Sequence, residues 1–157
     1  MRRSFIFVTL VFLFSCDSNR VFEDNIEFAD RTWKISEPAL LEFQIADASK
    51  SYNLYLDIRN SVDYPYSRIF VNYSLQDSAG TELSKKQMAE YLFDQKTGEP
   101  NGSSGLGDVY DHQFPIAGNL KFTKPGKYKA RFEQFMRKDT LQGILAVGLR
   151  VEEVVQP

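Results

Sequence analysis

The sequence predicts an all-β fold, an antiparallel β-sandwich (Ig-like or jelly-roll-like) of seven to nine strands, and three observations lead there. Apolar and polar residues alternate at period two through five separate segments, which is how half-buried strands read. Turn-forming clusters punctuate those segments, while candidates for helix are poor. Aromatic residues make up 14% of the chain, enough to fill a core between two sheets.

Taken in order, Leu41-Glu42-Phe43-Gln44-Ile45 puts its apolar residues on one face, and Tyr52 to Arg59 repeats the pattern over eight residues. Ile69 to Gln76 repeats it again, with Phe70 as an apolar residue on the supposed outer face. Tyr128, Ala130 and Phe132 alternate with Lys127, Lys129, Arg131 and Glu133. Leu145, Val147, Leu149 and Val151 alternate with Ala146, Gly148, Arg150 and Glu152. Between them, Gln76-Asp77-Ser78-Ala79-Gly80 reads as a hairpin turn and Lys124-Pro125-Gly126 as a turn that opens a strand. Glu82 to Phe93 is rich in helix formers, and we read it as strand from Met88 onward. Residues 94–111 contain four glycines and a proline. Such a segment is long for a hairpin connection, and loops beyond about 12–15 residues are usually functional or mobile. Phe28, Trp33, Phe43, Phe122, Phe132 and Phe135 are the expected aromatic core.

The amino terminus is of another kind. Arg2 and Arg3 precede an almost unbroken apolar run, Phe5 to Phe14. A membrane-spanning helix needs about 20 apolar residues, so a run half that length matches the core of a signal peptide. Leu13, then Ser15, then Cys16 resembles the lipobox of bacterial lipoproteins, with cleavage after Ser15. Phe14 is bulkier than the residue usually found there. The resemblance implies a diacylglycerol on the Cys16 sulfur and an acylated (palmitate-type) amino terminus. Each buried methylene contributes about 0.8 kcal/mol, so two or more chains anchor stably. Cys16 is the only cysteine, so this thioether leaves no thiol for catalysis, metal binding or a disulfide. The expected organisation is a signal peptide over 1–15, a polar tether over 16–25 and one β-sandwich domain over 26–157.

Loss of residues 1–15 removes two arginines and moves the formal net charge from −2 to −4. A mildly acidic domain with scattered cations lacks the basic footprint of a nucleic-acid binder. The Gly102-Ser103-Ser104-Gly105-Leu106-Gly107 run fits neither dinucleotide nor phosphate-loop spacing, and no cofactor is expected. Asp108, Asp111 and His112 gather two carboxylates and the sole histidine, but a calcium site wants about six to eight ligands. In an extended segment Asp108 and Asp111 point to opposite faces, so no metal site is expected. No nucleophile elbow accompanies His112, and no catalytic residues are assigned. Tyr64 and Tyr66 flank Pro65 between two strong strands, so at least one ring belongs near the surface. There it would suit a protein or carbohydrate contact; alternatively Tyr64 plugs the sandwich end and its hydroxyl caps a backbone group.

Three phrases, read in order, carry a wider resemblance: YNLYLDIRNSVDYPYSRIFV (52–71), GLGDVYDHQF (105–114) and MRKDTLQGILAVGLRVE (136–152). Behind a lipoprotein signal, they resemble the GldH family of gliding-motility lipoproteins of Bacteroidota. The resemblance implies a non-enzymatic lipoprotein of the cell envelope, on the periplasmic side or at the outer membrane, in a process linked to type IX protein secretion. It supplies one site residue, Cys16, for lipid attachment. The expected partners are the membrane, through that lipid, and envelope proteins of the gliding machinery; no nucleic acid is expected. Tyr64, Tyr66, Asp108, Tyr110 and Asp111 are the candidate partner contacts. Two rival readings remain: a glycan-binding lipoprotein with a platform of Trp33, Tyr55, Tyr64 and Tyr66, and a small envelope hydrolase using Asp108, Asp111 and His112.

Overall fold

Alternation places one face of each long strand indoors, and the computed structural model, which describes residues 19–155, is built on those faces. Eleven antiparallel strands run through the described residues. They are β1 (Arg20–Glu27), β2 (Thr32–Lys34), β3 (Ala39–Ile45), β4 (Ser51–Ser61), β5 (Arg68–Asp77) and β6 (Glu82–Tyr91). After these come β7 (Ser103–Ser104), β8 (Val109–Lys121), β9 (Gly126–Gln134), β10 (Thr140–Gln142) and β11 (Ile144–Glu153). One sheet has the order β1-β11-β4-β8-β7 and the other β3-β9-β5-β6, with a two-stranded ribbon β10-β2 beside them. The inward residues of β4 (Tyr52, Leu54, Leu56, Ile58) and β9 (Tyr128, Ala130, Phe132) are buried in one core. Rings from both sheets meet there: Phe22 of β1 lies 5.9 Å from Phe43 of β3, and Tyr52 packs on Phe122 at 5.6 Å.

The strand count exceeds seven to nine because β2, β7 and β10 are only two or three residues long, too short to alternate. β8, whose start overlaps the expected loop 94–111, and β1 are the long strands that the alternating segments left out. The first residues of β1 fall in the segment expected as a tether, yet the strand pairs with β11 from Arg20↔Glu152 to Glu27↔Ala146. β6 is strand throughout rather than from Met88, and only Met88 is buried on it. It pairs with β5 alone, so it is an edge strand wetted on both faces, and helix-forming polar residues cost it little. Cys16 and the expected signal peptide lie outside the described residues.

Register fixes which connections share an end. Arg20 pairs near the carboxyl end of β11, close to the start of β4, where Tyr52 pairs with Glu153. The β3–β4 loop, the β5–β6 turn and the β8–β9 connection lie at that same end. The opposite end gathers residues 28–31, 62–67, 92–108, 135–139 and Gly143.

Candidate functional site

Four of the five candidate contact residues, drawn from distant parts of the sequence, come together at the end opposite Arg20. Tyr64 follows β4 and is 4% exposed. Its hydroxyl donates to the Arg68 carbonyl at 3.0 Å, so it plugs the end of the sandwich and caps a backbone group. Burial raises the pKa of that hydroxyl well above its ordinary value. Tyr66 is 37% exposed and meets the Tyr64 ring edge-on at 5.7 Å. Tyr64 stacks on Phe93 at 6.5 Å, and Phe93 meets Tyr110 edge-on at 6.3 Å. A row of four rings therefore runs from the exposed corner to the 94–111 segment.

That segment is ordered by pairing rather than loose. Phe93 bridges Pro100, and Ser103 and Ser104 pair with Asp111 and Tyr110. The Gly105 N–H donates to the Val109 carbonyl at 2.8 Å, which closes a hairpin tip with Leu106, 95% exposed, at its summit. Asp108 on the tip accepts from Arg31 Nη1 at 3.2 Å, and its carbonyl accepts from the Val62 N–H at 2.8 Å. Gly143 ties the remaining segments: its N–H donates to the Arg31 carbonyl at 2.8 Å and its carbonyl accepts from Ser61 N–H at 2.9 Å. A Cβ on Gly143 would sit 2.7 Å from Tyr64 Cα, so only glycine lets these backbones approach.

Asp111 stands apart. It lies on the outer face of the five-stranded sheet, where Arg59 Nε donates to Oδ1 at 2.7 Å. A polar trough of about 400 Å³ opens there, with Asp57 accepting from Gln113 at 3.0 Å over Gly148. Burial raises the Asp57 pKa. His112, one residue on, turns to the inner face, is buried and stacks on Phe114 at 5.7 Å. Asp111 and His112 both border the trough, but Asp108 is held by Arg31 on the hairpin tip outside it, so the three-residue cleft the hydrolase reading requires is not formed. Trp33 is fully buried, stacked on Phe28 at 5.3 Å with Nε1 donating to the Glu37 carbonyl. The tryptophan of the glycan platform is therefore in the core, and the platform does not exist.

One expected core ring is outside. Phe135 is 55% exposed, because it follows the inward positions Tyr128, Ala130, Phe132 and Gln134 by an odd step and turns to the outer face. The same parity is visible in the sequence and identifies it. With Tyr66, Phe70, Ile35 and Met136 it forms an apolar groove of about 760 Å³ on the outer face of the four-stranded sheet.

Comparison with known proteins gives a consistent set of relatives. A model of the family described as GldH lipoprotein matches residues 20–151. A Christiangramia forsetii protein named gliding motility lipoprotein GldH homolog is 34% identical over 157 residues, covering 95% of this chain and 94% of that protein. The gliding motility lipoprotein GldH of Flavobacterium johnsoniae is 27% identical over 155 residues, covering 94% of both. Among solved structures, the mosquito-larvicidal Cry4Aa toxin of Bacillus thuringiensis aligns at a TM-score of 0.45 and 11% identity, over 85% of this chain and 24% of the toxin chain.

Proposed function

The chain belongs to the GldH lipoprotein family, and from that premise we propose that it is a membrane-anchored envelope lipoprotein serving the gliding machinery by protein–protein contact at one end of its sandwich. The observation that carries this reading is the polarity of the fold. Arg20 opens β1 at one end, and the tyrosine corner, the hairpin tip and the apolar groove all lie at the other. Cys16 is the proposed lipid position, and four residues from Cys16 to Arg20 reach at most about 14 Å. The Arg20 end is then held near the bilayer. β1 alone spans about 26 Å, so the other end is presented away from the lipid toward a partner.

In this reading the protein is not an enzyme; its work is localisation. Lipid fixes the domain at the membrane, on the periplasmic side or at the outer membrane, and exposed groups at the far end engage a component of the gliding apparatus and its linked type IX secretion system. Support for contact rather than chemistry comes from Asp108, which pairs with Arg31 on the hairpin tip and stays out of the trough that Asp111 and His112 border. Exposed Tyr66 and the half-exposed Arg31–Asp108 pair offer an aromatic anchor and charged groups at the same end of the sandwich.

The test uses cells carrying Asp108→Ala with Tyr110→Ala in the full-length lipoprotein, scored for colony spreading and for secretion. We expect both to be impaired while the thermal transition of the purified variant stays close to that of the parent. A variant that unfolds, or one that is folded and spreads normally, would remove these residues from the contact. Metabolic labelling with a palmitate analogue, lost in Cys16→Ala, checks the anchor independently.

A further inference from the structure

The geometry points to the Phe135 groove as the docking site for an acidic segment of a protein partner, bound through an aromatic or branched aliphatic anchor. This deepens the contact reading above and rests on it. The floor is apolar: Ile35, Tyr66 and Phe135 are exposed, and Phe70 and Met136 are half-buried beside them. Its depth has a backbone cause. The Phe135 N–H donates to the Phe70 carbonyl at 2.8 Å, so the chain leaving β9 stays stitched to β5 and holds both rings on one outer surface. On the far side the Ile35 N–H donates to the Asp139 carbonyl at 2.9 Å, which makes the β2–β3 connection the second wall. About 760 Å³ is room for one or two large side chains.

The rim selects the sign of the occupant. Arg137 and Lys138 line the groove, and no carboxylate does. Among the described residues neither cationic side chain has an ion pair or hydrogen-bond partner, although the chain as a whole carries a net charge of −2. A local excess of free cations around an apolar floor complements carboxylates that flank an apolar anchor. A second copy of this chain fits poorly, because a two-fold contact would set Arg137 and Lys138 against their own counterparts. An anionic bilayer has the right charge, but the groove lies at the end opposite Arg20, away from the proposed anchor.

The test is selection of a random twelve-residue peptide library displayed on phage against the full-length lipoprotein in phosphatidylcholine nanodiscs. Enriched peptides are expected to combine an aromatic, Leu or Ile residue with Asp or Glu. Their binding should fall at least tenfold with Phe135→Ser and with Arg137→Glu plus Lys138→Glu, and be unchanged with Leu83→Ser, an exposed residue on β6 outside the groove. No enrichment, peptides without acidic residues, or equal binding to the groove variants would overturn the proposal. So would phosphatidylglycerol vesicles that bind through the same residues in place of peptides, or a dimer that Phe135→Ser dissociates. If the Asp108 and Tyr110 variant loses motility while this selection fails, the contact reading stands and this inference alone falls.

Discussion

Substitution of Gly143 by alanine measures how tightly the far end of the sandwich is locked. Gly143 has φ +83°, where an L side chain costs about 1 kcal/mol or more. The added Cβ would also lie 2.7 Å from Tyr64 Cα and 2.8 Å from Tyr64 N, backbone atoms that cannot swing aside. Overpacking of that kind adds about 2 kcal/mol, for a total near 3 kcal/mol. At an unfolding entropy of about 2.1 cal/mol/K per residue, a domain of this size loses roughly 10 °C in Tm. Gly80→Ala is the matched control, since its φ of +82° is nearly the same and nothing lies within 4 Å of the new Cβ. It carries the backbone cost alone, about 1 kcal/mol and roughly 3–4 °C. The assay is thermal and urea unfolding of both variants, followed by the emission of Trp33, the only tryptophan and a neighbour of this end. Equal losses in the two variants would refute the claim that Gly143 is clamped against Tyr64.

Burial lowers the His112 pKa from 6.5 to about 4, against the opposing pull of the Asp111 charge. The unfolded chain therefore binds more protons between those values. Stability is full above pH 6.5 and declines as pH falls toward 4, by about 3 kcal/mol in all. His112→Gln should flatten urea midpoints across that interval, and an unchanged profile would contradict the burial argument. Trp33→Ala should cost about 3–5 kcal/mol, and native Trp33 emission should be blue-shifted and shielded from acrylamide. Free quenching of the native protein would place the indole outside the core. Arg31→Ala should cost under about 1 kcal/mol, because the Arg31–Asp108 pair is half exposed to water. A larger loss in urea unfolding would make the pair structural.

Period-two alternation made the central strands legible, since each of β3, β4, β5, β9 and β11 buries one face against the opposite sheet. β8 carries the same signal in Tyr110, His112, Phe114 and Ile116, yet the four glycines and Pro100 of residues 94–111 drew attention to a loop that overlaps its start. β6 was harder because an edge strand exposed on both faces has no alternation to read. β1 was unreadable for a different reason. Its stability comes from the β11 ladder, and a polar strand of that kind looks like a tether until its pairing partner is known. At the far end, the proline between two tyrosines pointed to at least one surface ring and left a buried Tyr64 as one of two alternatives, the one the structure shows. The convergence of Tyr110, Phe93 and Arg31 on that corner depends on contacts across the whole chain, which no local pattern encodes.

Site-specific photo-crosslinking in living cells distinguishes the two ends of the sandwich. A benzoylphenylalanine replaces either Tyr66, at the far end, or Ser49, in the β3–β4 loop near Arg20, in the full-length lipoprotein. A light-dependent adduct with an envelope protein is expected from position 66 and none from position 49. Adducts from position 49 alone, from both positions equally or from neither would contradict it.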